Sequence, residues 1–222
     1  MGSLLTLILF LAGRWLYGKK PLLIFVPVFF AVVGCALFIQ ISGMSYDRYM
    51  EENEVLTFFL GPAVVALGVL LFKHLRAIQS LLKPLLFTVI AGSFMSVSMV
   101  AVLSVLLRLP ATLAASLLPM GITTPIAIEV TVPLGGDPSI TSVVVIMIGL
   151  LGNIMGPVWV RWMRIRDHAA SGVSIGMVSH GIGTARAIQM GETTGLFSGL
   201  AMCINGVITV FTAPMVFSLI YH

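Results

Sequence analysis

The sequence predicts an all-α polytopic membrane protein with about seven to eight hydrophobic segments, an inverted repeat, broken helices and one re-entrant segment. Three observations carry the fold class. Apolar residues run on for about 20 positions at a time, the length a helix needs to cross a bilayer. Only 9% of the 222 residues are charged and 59% are hydrophobic, whereas a soluble domain carries about 25% charged residues. The runs are also continuous, as in Val143-Val144-Val145-Ile146-Met147-Ile148, and do not alternate as the strands of a membrane barrel must. A mean hydropathy of +1.11 agrees.

Hydropathy and breaker residues place the segments at 3–17, 21–43, 57–75, 82–108, 111–133, 138–162, 170–190 and 192–220. Pro21, Pro84, Pro110 and Pro138 lie at or near segment starts, where a missing N–H costs little. Loops are short except for Ser45 to Leu56. The Leu-rich N-terminal run is not expected to be a secretory signal, because Lys19 and Lys20 follow it and no basic residue precedes it. Cys35 and Cys203 lie inside apolar runs and read as small core residues, not as a disulfide or a metal site.

The net charge of +4 reflects orientation and gives no reason to expect nucleic acid as a partner. Arg14, Lys19 and Lys20 follow the first segment, Lys73, Arg76 and Lys83 the third, and Arg161, Arg164 and Arg166 the sixth. Basic loops favour the cytoplasmic side. All nine reach it only if 111–133 turns back on itself. Leu118-Pro119-Met120-Gly121-Ile122-Thr123-Thr124-Pro125 suits such a turn, since two prolines and a glycine interrupt the hydrogen bonds of a straight helix. This topology leaves Asp47, Glu51, Glu52, Glu54, Asp137 and Glu192 outside, with Arg48 and Arg108. The whole chain, 1–222, then reads as a single integral membrane domain with repeats 1–110 and 111–222. Their segment orders match and their directions oppose, as in many secondary transporters.

Three breaker-rich stretches are candidates for a site: Leu60 to Gly68, with Pro62; Pro119 to Pro125, with Thr123, Thr124 and Pro125; and Gly176 to Arg186, with Ser179, His180, Thr184 and Arg186. The exposed N–H groups of broken helices suit an anion. Arg186 matches a carboxylate fork to fork, or else snorkels to the interface or pairs with Glu129. His180 is a candidate proton relay if the Gly181–Gly183 stretch is unwound, and otherwise a histidine bonded to a neighbouring helix. Glu129, the one carboxylate inside an apolar run, is a second proton-coupling candidate or a structural ion-pair partner. Thr123 and Thr124 offer hydroxyls and N–H groups at the break, or bond back to their own helix. Asn153 sits among glycines and fits either an interhelical hydrogen bond or the substrate site, and Asn205 reads the same way. No phosphate loop, metal-spaced histidine pair or nucleophile motif is present, so neither an enzyme nor a cofactor or metal is expected.

Several ordered motifs resemble the LrgB family over nearly the whole chain. They are Gly43-Met44-Ser45-Tyr46-Asp47-Arg48-Tyr49, Leu60-Gly61-Pro62-Ala63-Val64-Val65-Ala66-Leu67, Leu118 to Ala127, Met163-Arg164-Ile165-Arg166, and Ser179-His180-Gly181-Ile182-Gly183-Thr184-Ala185-Arg186. The sequence departs from the family at Pro21-Leu22-Leu23-Ile24-Phe25, where the family has Pro-Leu-Leu-Asn-Pro. The resemblance implies a multi-pass protein of the bacterial cytoplasmic (inner) membrane, with one of two functions. One is transport of small carboxylates such as pyruvate, glycolate or glycerate. The other is an antiholin- or holin-like role in murein hydrolase export and lysis, with a small membrane partner of the LrgA/CidA type. A homodimer is a further expectation, since small-residue helices associate in lipid.

Overall fold

The computed structural model describes residues 2–20, 22–59, 62, 65, 66, 69, 72 and 79–221, and every regular element among them is helical. The chain folds as two compact units, Met1–Val65 and Ala66–His222. Most of the expected 57–75 segment, including Lys73, lies outside the described residues, as does Arg76.

In the first unit, helices α1 (Gly2–Lys19) and α2 (Pro27–Ser42) pack against each other. Close contact is possible because Gly13 faces Phe30 and Pro27, and Gly34 faces Leu9. Helix α2 starts at Pro27, where a proline needs no hydrogen-bond partner, and stops at Gly43 in a left-handed conformation (φ 67°). The acidic stretch then forms two short helices, α3 (Tyr46–Glu52) and α4 (Glu54–Phe58), with Ser45 capping the first by accepting from the Arg48 N–H. The Gly2 N–H donates to Glu52 Oε2 at 2.6 Å, and Thr6 Oγ1 donates to Asn53 Oδ1 at 3.0 Å. The Gly2 bond and the nearby Arg48 hold the Glu52 carboxyl below its ordinary value. A carboxylate at the first turn of α1 also complements the helix dipole.

Among its described residues, the second unit has three helices long and apolar enough to cross a membrane: α5 (Gln79–Leu106), α8 (Pro138–Trp162) and α10 (Glu192–Ile220). Between α5 and α8 lie α6 (Ala111–Leu117) and α7 (Thr124–Thr131); between α8 and α10 lies α9 (His168–Met190). Pro84 falls inside α5 and not at its start. Asp137 caps α8, accepting from Ser139 and Ile140, and Pro138 opens it. Helices α5 and α10 run side by side in the same direction. Leu85 and Val89 share a core cluster with Phe197 and Leu200, Ser93 Oγ bonds Thr209 Oγ1 at 3.1 Å, and Val97 and Ala101 cluster with Ala213 and Val216.

Helices α6 and α7 form a hairpin. The chain leaves α6 at Leu117, turns through Leu118–Thr123, and comes back so that Ser116 lies beside Thr131, Gly136 and Asp137. Ser116 Oγ accepts from the Asp137 N–H at 2.7 Å, and Thr141 Oγ1 donates to the Ser116 carbonyl at 3.0 Å. The expected doubling-back of 111–133 is therefore seen in the geometry of the backbone.

Segment 170–190, expected as one crossing with a break within Gly176 to Arg186, is corrected in its course: the break is there, but the two arms do not continue in one direction. Helix α9 breaks at His180, whose φ 38° and ψ −134° are non-helical, and the chain doubles back there. Its first arm, 168–179, runs alongside α10: His168 reaches Thr194, Gly172 meets Thr194 and Ser198, and Met177 reaches Asn205. Its second arm, 181–190, returns along the same helix, with Gly181 near Met202, Thr184 bonded to Ser198 and Ile188 against Gly195. Gly183 consequently packs on Ile175 of the first arm, eight residues earlier, which a straight helix would hold about 12 Å away. The cause is the glycine-rich sequence: Gly172, Gly176 and Gly183 let two helical arms and α10 approach backbone to backbone. Glu192 therefore lies at the same end of the unit as His168, and not at the opposite end as expected.

Candidate functional site

The two hairpin tips meet at one residue. Asn205 lies near the middle of α10 and is 4% exposed. Its Nδ2 donates to the Gly121 carbonyl of the first hairpin at 2.9 Å and to the Met177 carbonyl of the second at 3.1 Å. One amide therefore satisfies a carbonyl at the break of each hairpin, where a helix leaves its last acceptors without partners. The Oδ1 of the same amide is buried and has no protein partner.

Around this point the fold presents both kinds of helix end. The first arms arrive with their carbonyls. The return arms, α7 from Thr124 and the 181–190 arm after His180, leave with their N–H groups. Thr123 precedes α7 in an extended conformation with no side-chain cap bond, and Pro125 occupies its first turn. Thr123, Thr124 and Pro125 thus lie at the first tip, half-buried. Ser179 and His180 form the second tip, 1% and 3% exposed. His180 Nε2 lies 3.0 Å from the Val145 carbonyl, the bond to a neighbouring helix that was one of its two readings. Asn153 Nδ2 donates to the Ile182 carbonyl at 2.8 Å, fastening the return arm to α8.

Other candidates lie further out. Thr184 Oγ1 and Ser198 Oγ are 2.9 Å apart, between the return arm and α10. Arg186 is half-buried on that arm, beyond Thr184, and its Nη1 donates to Gln189 Oε1 at 2.8 Å. Glu129 is exposed on α7. The α7 core residues pack at the Ala213–Val216 end of α10 and the 181–190 arm at its Glu192 end, so Glu129 and Arg186 sit on opposite sides of the tips. Pro62 is helical and exposed in the first unit. Ser96, which the sequence reading passed over, has its Oγ 3.5 Å from where a Cβ on Gly121 would lie. Its signal was the run of small polar residues Ser93, Ser96 and Ser98 on an otherwise apolar helix.

A cavity of about 610 Å³ runs between α5 and the first arm of α9, from Leu81 and Asp167 at one end to Ser96 and Met177 beside the tips. Apart from Thr88, Ser96, Ser174 and Asp167, its walls are apolar.

Long apolar helices framing two broken hairpins define a helical membrane protein with a buried amide junction between the tips of the broken segments. The chain belongs to the LrgB-like family, whose profile matches residues 6–219. It is similar to YxaC of Bacillus subtilis (strain 168), 34% identical over 213 residues, covering 96% of this chain and 93% of the relative. It is also similar to a Haemophilus influenzae protein, 36% identical over 199 residues, covering 90% and 86%. The antiholin-like protein LrgB of Bacillus mycoides (strain KBAB4) is 29% identical over 215 residues, covering 96% and 94%. No solved structure matches the chain.

Proposed function

We propose that this protein is a gradient-driven secondary transporter of small monocarboxylates, of the pyruvate, glycolate or glycerate class, in the bacterial cytoplasmic (inner) membrane. The observation that carries the reading is the meeting of two hairpin tips at Asn205, the middle of a helix long enough to span the bilayer. Half-helix N-termini near the midplane favour a small anion through their free N–H groups and partial positive charge. Non-helical backbone at that depth belongs in a protein-lined cavity, and the cavity ending at Ser96 and Met177 supplies a route to it.

In this reading α5, α8 and α10 cross the bilayer, while 111–134 and 168–190 are re-entrant from opposite faces. Lys83, Arg161, Arg164 and Arg166 then share the cytoplasmic side. A helix followed by a hairpin occurs twice in opposite senses, 79–134 and 138–190, which supports an inverted repeat with boundaries inside the second unit. Thr123, Thr124, Pro125, Ser179 and His180 line the anion site. Arg186, nearer the cytoplasmic end, attracts substrate to it and does not hold it at the midplane.

The test is uptake of labelled pyruvate, glycolate or glycerate into proteoliposomes, with and without a pH gradient. Absence of saturable uptake, with or without a small LrgA/CidA-type partner, refutes the reading. Arg186→Gln is expected to raise KM several-fold with little change in maximal rate.

The names of the antiholin-like relatives favour a second reading, a role in murein hydrolase export and lysis, alone, as a homodimer or with that small partner. Release of large trapped dyes from vesicles by the purified chain would support it over a carrier.

A further inference from the structure

We infer that the carbonyl oxygens of Gly121 and Met177, with the side-chain oxygen of Asn205, form a binding site for a sodium ion. The inference rests on the transport reading, for which sodium would be the coupling ion, but the site can be tested without any transport substrate.

Two observations carry it. The first is convergence: carbonyls from the breaks of two separate hairpins lie 2.9 and 3.1 Å from the same terminal atom of Asn205. Carbonyl ends of broken helices carry partial negative charge, and unwound carbonyls are what coupling ions bind in transporters built this way. The second is that Asn205 Oδ1 is buried and has no protein partner. A buried acceptor left unpaired is destabilising, so it calls for a ligand.

The amide can serve both states. Its nitrogen and oxygen are nearly the same size, so a half-turn about the last side-chain bond exchanges them with little steric cost. With nitrogen inward, as here, the amide bonds both carbonyls and holds the tips together without an ion. With oxygen inward, Oδ1 faces both carbonyl oxygens and becomes a ligand, while the Nδ2 hydrogens turn to the space that Oδ1 occupies here. Sodium is close to calcium in size, and oxygen ligands stand about 2.4 Å from such an ion, hence about 3.4 Å from each other at right angles. The observed separations need to open by only a few tenths of an ångström. Ser96 Oγ, beside Gly121, supplies a fourth oxygen. All four ligands are neutral. Mg²⁺ and Ca²⁺ are held by carboxylates, and the described residues contain no group of three or more acidic, histidine or cysteine side chains. Potassium is too large for oxygens this close. The ion would lie at the carbonyl ends of the same breaks whose N–H ends face the anion, so each charge favours binding of the other.

The test is thermal unfolding of the full chain in detergent, in NaCl, KCl or choline chloride at equal ionic strength. Sodium is expected to raise Tm saturably, with no comparable rise in potassium or choline. Ser96→Ala should weaken the apparent sodium affinity several-fold, and Asn205→Leu should abolish the response. If Asn205→Leu does not fold, the wild-type salt series and Ser96→Ala decide the matter. Equal Tm in all three salts overturns the proposal, as does a sodium response unchanged in Ser96→Ala and Asn205→Leu. Carboxylate uptake indifferent to sodium overturns the coupling role and leaves transport standing. Sodium-selective stabilisation without carboxylate uptake supports the site and removes the transport reading.

Discussion

His180 provides the sharpest test of the chain reversal in α9. Two substitutions there, to alanine and to glycine, both remove the ring and its bond to the Val145 carbonyl. They differ only in backbone freedom. In an uninterrupted helix, glycine is about 1 kcal/mol less stable than alanine. At φ 38° and ψ −134° the order inverts, because a residue with a Cβ is strained there by about 1–2 kcal/mol and glycine is not. The two geometries therefore predict values that differ by about 2–3 kcal/mol, with opposite signs. The assay is unfolding in mixed micelles by titration with a denaturing detergent, comparing His180→Gly directly with His180→Ala. The expected result is that the glycine variant is the more stable by about 1–2 kcal/mol. A glycine variant less stable than the alanine variant by about 1 kcal/mol would mean that 168–190 is a continuous helix, and the two-hairpin description would fail.

Gly176→Ala places a methyl group against the Ser198 backbone carbonyl, which cannot give way as a side chain can, and should cost about 1–3 kcal/mol in the same assay. Gly18→Ala, where nothing lies within 4 Å of the added Cβ, is the control and should be neutral or stabilising by about 0.5–1 kcal/mol. Asn153→Leu removes the bond to the Ile182 carbonyl and should cost about 0.6–1.7 kcal/mol, the range for hydrogen bonds between helices in membranes. The Glu52 carboxyl is held below its ordinary value of 4.5, so its contribution to stability is full above that pH and fades as pH falls through the lowered value. Unfolding of Glu52→Gln should accordingly depend less on pH below 4.5 than wild type, and an unchanged acid profile would show that the lowered Glu52 carboxyl contributes nothing to stability.

The long helices of the second unit were legible because a continuous apolar run of about 20 residues is long enough to span a bilayer: 138–162 and 192–220 fall where hydropathy placed them. The first hairpin was legible as well, since prolines at 119 and 125 state openly that a helix cannot continue. The second was not. Residues 168–190 have the length of a span, no proline and a helical pattern on both sides of the turn, so hydropathy reads them as one segment. The reversal depends on His180 taking a conformation that glycine adopts more readily, next to Gly181, and on contacts of Gly172, Gly176 and Gly183 with partners distant in sequence. Windows of sequence do not contain such contacts. For the same reason Arg186 drew more attention than Asn205: a charge in an apolar run stands out, whereas the neutral amide that joins the two tips becomes conspicuous only when the backbone carbonyls are in place.

The bond between Asn205 and Gly121 spans 84 residues of sequence, and this imposes an order on biosynthesis. The first hairpin leaves the ribosome well before the amide that satisfies it exists. At about 5–20 residues per second, the wait is roughly 4–17 s. During that interval the Gly121 carbonyl has no Asn205 to bond, and lipid offers it nothing in exchange. The nascent hairpin must therefore remain in a hydrated place, at the membrane surface or within the insertion machinery, until α10 has been made. If the tip lies at the middle of the bilayer, as proposed above, it descends there only then, and this half of the core is assembled last although it is translated early.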